Sequence, residues 1–316
     1  MKKSLIIYVS ALLFFGSNGV VAAAIPLTST QIVAMRTSIG ALVLIVIALK
    51  AGMRIHVKDS PRGFLYVCLA GICTGLSWVT LYEAYRLTGV GISSLLYYCA
   101  PVIVMIASVP LFGEKLTGQR VVGFVVVFAG TLMVSMQAVV GNGSALGIVL
   151  AALSALFHAG MVIFSKKAPE INSTESTTIQ LLVSFLVACV FLLFNGGLGF
   201  IGTIPLSAWP AIIFLGVANT GIGCLMYYDS IAKLPAQTVA TLGYLEPMSA
   251  VFFSAALLGE SLTIIQWIGA AVIMGGAFFS ERTPKPLTER KTRSKNFLAP
   301  FGTKSMDEKQ SSMASR

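Results

Sequence analysis

A helix must present about 20 mostly apolar residues in succession to cross the hydrocarbon of a bilayer, and this chain does so ten times. The runs lie near residues 5–24, 31–49, 64–85, 92–112, 120–138, 146–165, 178–194, 209–228, 237–258 and 263–279, divided by short polar or Gly/Pro-marked breaks. They are apolar all round and about twice as long as the alternating strands of a membrane barrel, which excludes that architecture. With 56% hydrophobic and 11% charged residues over 316 positions, too little polar surface is available for water to dissolve the chain. The predicted fold class is an all-α membrane protein of ten transmembrane helices.

The basic residues predict its orientation. With the N-terminus in the cytoplasm, all but two of the 22 Lys and Arg fall on that side, the exceptions being Arg86 in an outer loop and Arg36 inside the second run. The positive-inside rule then places both termini in the cytoplasm of a multi-pass protein of the cytoplasmic (inner) membrane. The formal charge of +10 is a product of this asymmetry and of a basic tail, and requires no nucleic-acid partner. That tail, residues 281–316, is polar, rich in Lys, Arg, Ser and Thr, and carries Pro284, Pro286 and Pro300. It is expected to be a disordered cytoplasmic segment suited to an anionic leaflet. Lys2 and Lys3 before an apolar stretch mimic a signal peptide, but the stretch is long and interrupted by Gly16, Ser17 and Asn18, so it reads as the first membrane helix.

The ten runs are not independent. An offset of 146 lays Tyr98, Pro101, Ser108, Gly113, Glu114, Gly123 and Gly130 over Tyr244, Pro247, Ser254, Gly259, Glu260, Gly269 and Gly276, and lays Gly75, Tyr82 and Glu83 over Gly221, Tyr228 and Asp229. An offset of 144 lays SALLFFG from Ser10 over SALFHAG from Ser154. Duplication of a five-helix unit, residues 1–139 and 140–280, is the simplest origin. An odd number of crossings makes the second copy enter from the opposite side, giving inverted repeats with a substrate site expected near the midplane at their junction. Pro101 cannot donate to the carbonyl of Tyr97, nor Pro247 to that of Gly243, so kinks are predicted at both. Such kinks serve either as gates or as packing devices.

The twice-occurring pattern of an apolar run, Pro, a further apolar stretch, Gly-Glu, Leu-Thr and a glycine-spaced helix resembles the signature of the EamA family in the drug/metabolite transporter superfamily. The resemblance spans roughly residues 5–279 and leaves the tail unaccounted for. It implies a ten-helix bundle with a central cavity, cytoplasmic termini, and export or exchange of amino acids or other small metabolites. It carries no binding residues over.

Ionisable groups inside hydrocarbon cost about 2.5–3.5 kcal/mol at the helix centre, so each is a candidate for function. His158 is the thirteenth residue of the sixth run and Glu246 the tenth of the ninth, which puts both near the midplane. They are the candidates for proton coupling, and His158 also for substrate binding. The alternative for Glu246 is a structural hydrogen-bonder on the small-residue face of Leu242, Gly243, Ser249 and Ala250. Tyr244 lies about 200° around the same helix, so the two should not line one wall. Trp78, Tyr98 and Tyr244 combine apolar bodies with hydrogen-bonding tips, and Asn219 and Asn18 are amides that need partners within lipid. Each is a substrate-binding candidate or a helix-packing residue. Arg36 is expected to snorkel outward, to pair with Glu83, or to receive a substrate carboxylate. Glu114 and Glu260 are expected to cap the helices that follow them.

Several classes are disfavoured. No GxxxxGK[ST] loop is present to hold ATP. The five cysteines show no CxxC spacing, and the two histidines, His56 and His158, form no HExxH, so neither metal nor cofactor is expected. A membrane enzyme would cluster acids, histidines or a serine–base pair at one depth, and two midplane candidates are too few. The expected partners are a small-molecule substrate, the lipid bilayer and protons as coupling ion. An uptake permease would have the same sequence features as an exporter, and the sequence leaves oligomeric state open.

Overall fold

Lipid offers the backbone no hydrogen bonds, so a chain crossing it must satisfy its own amides, and helices do so within one segment. In the computed structural model, which describes residues 2–50, 60–88, 93, 96–135, 144–194, 197, 199–258 and 263–281, the secondary structure of those residues is entirely helical. The expected tail, the boundary at 139/140, His56 and Glu260 lie outside the described residues. The first half holds α1 (Lys2–Phe15), α2 (Asn18–Ala23), α3 (Ser29–Lys50), α4 (Pro61–Thr88), α5 (Ala100–Phe112) and α6 (Gly118–Ser135). The second holds α7 (Ala145–Lys166), α8 (Ser173–Phe194), α9 (Trp209–Ile213), a π-helix (Phe214–Gly223), α10 (Cys224–Lys233), α11 (Ala236–Gly243), α12 (Leu245–Leu258) and α13 (Ile264–Glu281).

Among the described residues, six helical stretches are long and apolar enough to cross a membrane: Lys2–Ala22, Ser29–Lys50, Pro61–Thr88, Ala145–Lys166, Ser173–Phe194 and Leu206–Lys233. Shorter apolar helices occupy three more of the predicted runs, at Ala100–Phe112, Gly118–Met133 and Ile264–Ser280. The remaining run, 237–258, is divided at Tyr244 into α11 and α12. Large apolar side chains such as Leu193, Phe194, Leu206 and Ile264 are more than three-quarters exposed, as lipid-facing residues of a multi-pass membrane protein are.

The division has a local cause. Pro247 occupies the first turn of α12, where no amide is needed, and Pro101 occupies the first turn of α5. Across Pro101 the Val102 amide turns to the Cys99 carbonyl, 3.0 Å. The Tyr98 carbonyl instead accepts the Tyr244 hydroxyl, 2.8 Å. The two proline breaks, one from each half, are thus joined to each other.

The packing repeats as the sequence does. Helix α4 lies on α7, and correspondingly α10 lies on α1; α4 lies on α8, and the π-helix on α3; α5 lies on α7, and α12 on α1. Two pairs, α3 with α8 and α6 with α13, join equivalent helices of the two halves. Exchanging the halves therefore leaves these pairings unchanged.

Glycines set the closest of these approaches. In the α6–α13 pair a Cβ on Gly130 would meet the Gly269 carbonyl oxygen at 2.9 Å, and one on Gly276 would meet Val127 at 2.8 Å. Without a hydrophobic force between helices in lipid, contact of this kind supplies much of the association energy. Gly130→Val is expected to cost about 1–3 kcal/mol by overpacking and to lower the melting temperature in detergent. An unchanged melting temperature would show that this helix pair is not held by its glycines.

Candidate functional site

Two small adjoining cavities lie inside the bundle. One is lined by α1, α5, α7, α10, α11 and α12, the other by α1, α2, α3, α4, α7, α10 and α12, and Tyr97, His158, Tyr227 and Glu246 border both. Both halves of the chain thus contribute walls.

The second cavity brings together Arg36 and Glu246, a cation and an anion from opposite halves. Arg36 is 3% exposed, and neither expected structural role is met. It does not snorkel, and Glu83 pairs instead with Arg86 one turn along its own helix. The Arg36 Nε donates to Thr220 Oγ1 at 2.9 Å, and an Nη donates to Tyr82 Oη at 3.3 Å. Its guanidinium carbon stands 4.3 Å from the centre of the Trp78 ring, a cation–π arrangement that offsets part of the cost of a buried charge. All these partners are neutral.

Glu246 faces both cavities, and no side chain among the described residues hydrogen-bonds its carboxylate. Its backbone carbonyl accepts from Ser249, 2.8 Å, fixing the first turn of α12. His158 Nδ1 is hydrogen-bonded to Tyr97 Oη at 2.8 Å, with the rings in edge contact. Tyr227 packs against Tyr8, whose hydroxyl donates to the Val239 carbonyl at 2.9 Å. The wall therefore combines aromatic rings and small apolar residues with a few polar tips and one charge of each sign.

The predicted site residues divide on this geometry. Arg36, Trp78, Tyr98, His158 and Glu246 line the cavities, as does Pro101. Asn219 and Tyr244 do not. Asn219 is fully buried and donates to Ser17 Oγ at 3.0 Å and Asn18 Oδ1 at 2.7 Å, tying the π-helix to the break between α1 and α2. Tyr244 sits at the break between α11 and α12 and packs on Phe124 and Phe128. Pro247 lies in the turn beside Glu246 and touches neither cavity. Glu114 does not cap the helix that follows it. Its two carboxylate oxygens accept the Ala236 and Gln237 amides, 2.6 and 3.1 Å, at the start of α11 in the other half, where an anion complements the helix N-terminus.

A duplicated all-helical bundle around a cavity walled by both halves invites comparison with known membrane proteins. The sequence profile of the EamA-like transporter family matches residues 2–136 and again 145–281. The chain belongs to the EamA-like transporter family.

Relatives of similar sequence are described as transporters. An uncharacterized transporter of Bacillus subtilis, YxxF, is 26% identical over 275 residues, 85% of this chain and 86% of its own length. A second from that organism, YvbV, is 27% identical over 253 residues, 76% of this chain and 78% of its own. An uncharacterized transporter of Archaeoglobus fulgidus is 27% identical over 235 residues, 73% of this chain and 81% of its own. A solved crystal structure superposes with a TM-score of 0.77 at 20% identity, over 88% of this chain and 97% of the other, sharing the fold.

Sequence reasoning missed several cavity residues of this EamA-like transporter, namely Tyr8, Tyr97, Tyr227 and Tyr228, and the Arg36 partners Thr220 and Tyr82. One signal was available. The offset that pairs Gly75 with Gly221 also pairs Thr74 with Thr220, and Thr74 and Tyr228 line the same cavity as Arg36. Among the described residues no three His, Cys, Asp or Glu side chains come together to hold a metal ion.

Proposed function

We propose that the protein is a secondary carrier that exports small zwitterionic metabolites, amino acids or close relatives, by alternating access across the cytoplasmic membrane. The observation that carries this reading is that Arg36 and Glu246 line one cavity. An α-amino acid offers a carboxylate that suits the planar fork of a guanidinium and an ammonium that suits a carboxylate and aromatic faces. The surrounding tyrosines and Trp78 offer ring faces for an apolar side chain to pack on.

The two halves are inverted copies, with both termini cytoplasmic, and exchange conformations to move the site from one face to the other. Protons are the coupling ion, taken up at Glu246 with His158 beside it. Two experiments test the reading. Reporter tags inserted after Phe112 and after Leu258 emerge on opposite sides of the membrane; finding both on one side ends the inverted-repeat scheme. Inside-out vesicles carrying the protein accumulate labelled amino acids when a pH gradient is imposed. Absence of gradient-driven accumulation above empty vesicles ends the proton-coupling assignment, and absence of amino-acid counterflow as well ends the amino-acid assignment.

A further inference from the structure

Duplication provides an internal control for Arg36. The same two residues, a threonine and a tyrosine, face each other across the halves twice: Thr74 with Tyr228, and Thr220 with Tyr82. In the first pair the hydroxyls meet directly, with Thr74 Oγ1 3.3 Å from Tyr228 Oη. In the second the Arg36 guanidinium stands between them, bonded to Thr220 by Nε and to Tyr82 by an Nη. The residue equivalent to Arg36 at an offset of 144 is Gln180, which bonds to Ser165 and Ser176 on its own side and stays out of the first pair.

The backbone differs to match. Thr74 sits in an ordinary α-helix, and its hydroxyl donates to the Ala70 carbonyl four residues back, 2.9 Å. Thr220 sits in the π-helix, and its hydroxyl donates to the Leu215 carbonyl five residues back, 2.8 Å. The wider turn turns the threonine relative to its counterpart. With its single hydrogen committed to Leu215, the Thr220 oxygen can only accept, and its acceptor side faces the Arg36 Nε–H. Tyr82 takes one Nη and Trp78 takes a face, so a guanidinium with five N–H donors retains donors for a ligand in the cavity.

We propose that Thr220 and Tyr82 are positioning residues that present Arg36 as the receptor for a substrate carboxylate, and that they set the preference of the carrier for acids over amines. The proposal deepens the zwitterion reading above and rests on it. Its test uses purified full-length protein in liposomes and entrance counterflow of a labelled mixture of the twenty amino acids, with decarboxylated amines as competitors. Thr220→Val is isosteric and removes the acceptor. It is expected to raise the half-saturating concentration about tenfold, the effect of one charge-assisted hydrogen bond, with maximal rate within about twofold. Thr220→Ser, which keeps the hydroxyl, recovers most of that loss, and competition by the amines does not weaken in Thr220→Val.

An unchanged half-saturation in Thr220→Val, alongside loss of counterflow in Arg36→Gln, overturns the positioning role and leaves the zwitterion reading standing. Wild-type behaviour in Arg36→Gln overturns both. Should wild type show no counterflow, the amino-acid assignment falls, and the positioning role is decided without substrate. In a Trp209→Phe, Trp267→Phe background, Trp78 is the sole tryptophan, and iodide quenching of it reports anion access beside Arg36. Thr220→Val is expected to lower the iodide quenching constant while acrylamide quenching stays unchanged. Equal iodide quenching with and without the Thr220 hydroxyl overturns the proposal.

Discussion

Arg36→Gln is expected to lower amino-acid flux by about 100-fold or more while the protein still folds and elutes as wild type. The magnitude follows from the chemistry of the contact. Hydrogen bonds to charged groups contribute about 1.5–3 kcal/mol each, and a bidentate carboxylate contact makes two, so loss of one to two such bonds passes the factor of 100 at about 2.7 kcal/mol. Folding should survive because the partners left behind are the Thr220 and Tyr82 hydroxyls and the Trp78 ring. A glutamine amide can meet the hydroxyls, and Glu246, the carboxylate that shares the cavity, takes no hydrogen bond from Arg36 that the change would break.

Arg36→Lys separates charge from geometry. An ammonium is a point charge on a flexible stem and cannot serve Thr220, Tyr82 and a ligand in one plane. It should recover charge and little flux. Flux in Arg36→Gln equal to wild type would remove Arg36 from the binding site.

How far the sequence could lead is clearest at Arg36 itself. That an arginine inside hydrocarbon must matter was legible from its cost. Its partners were not, because the acid expected near the outer end of the third run, Glu83, has Arg86 one turn away, whereas the true partners come from α4 and from the π-helix of the other half. The register of that π-helix is invisible in an apolar run, since one extra residue per turn alters which side chains face inward without altering composition. Hence Thr220, Tyr227 and Tyr228 were missed, while His158 and Glu246, whose charges mark them, were found. The divergence of Tyr244 and Glu246 was expected from 100° per residue along one helix, whereas the structure breaks the helix at Tyr244 itself. Glu114 was misassigned because its Gly-Glu, Leu-Thr context reads as a local cap, and only packing of α5 against α11 brings the foreign helix N-terminus to it. The fold was legible for a different reason: span length and duplication are properties of order along the chain and need no knowledge of facing.

Glu246→Gln should divide exchange from accumulation. Among the described residues, the ionisable groups that share its cavities are Arg36 from α3, His158 from α7, Cys224, Tyr227 and Tyr228 from the α10 helix, Tyr8 from α1, and Tyr97 and Tyr98 ahead of α5. Of these, only His158 and Glu246 itself have ordinary pKa values below 7, so they are the groups suited to exchanging protons with a coupling gradient. Glutamine keeps the volume and hydrogen-bonding of a protonated glutamate and cannot release a proton. A carrier locked in that state can still exchange substrate for substrate across the membrane, since exchange moves no net proton. It cannot convert a pH gradient into a substrate gradient. Counterflow in liposomes is therefore expected to persist within about tenfold of wild type, the loss of one ion-pair contact to the substrate ammonium, while accumulation driven by an imposed pH gradient disappears. His158→Gln, which keeps a partner for the Tyr97 hydroxyl, is expected to retain accumulation if Glu246 alone carries the proton and to lose it if the pair acts together. Gradient-driven accumulation that survives both substitutions would show that protons enter elsewhere, and Glu246 would then be an ammonium receptor without a coupling role.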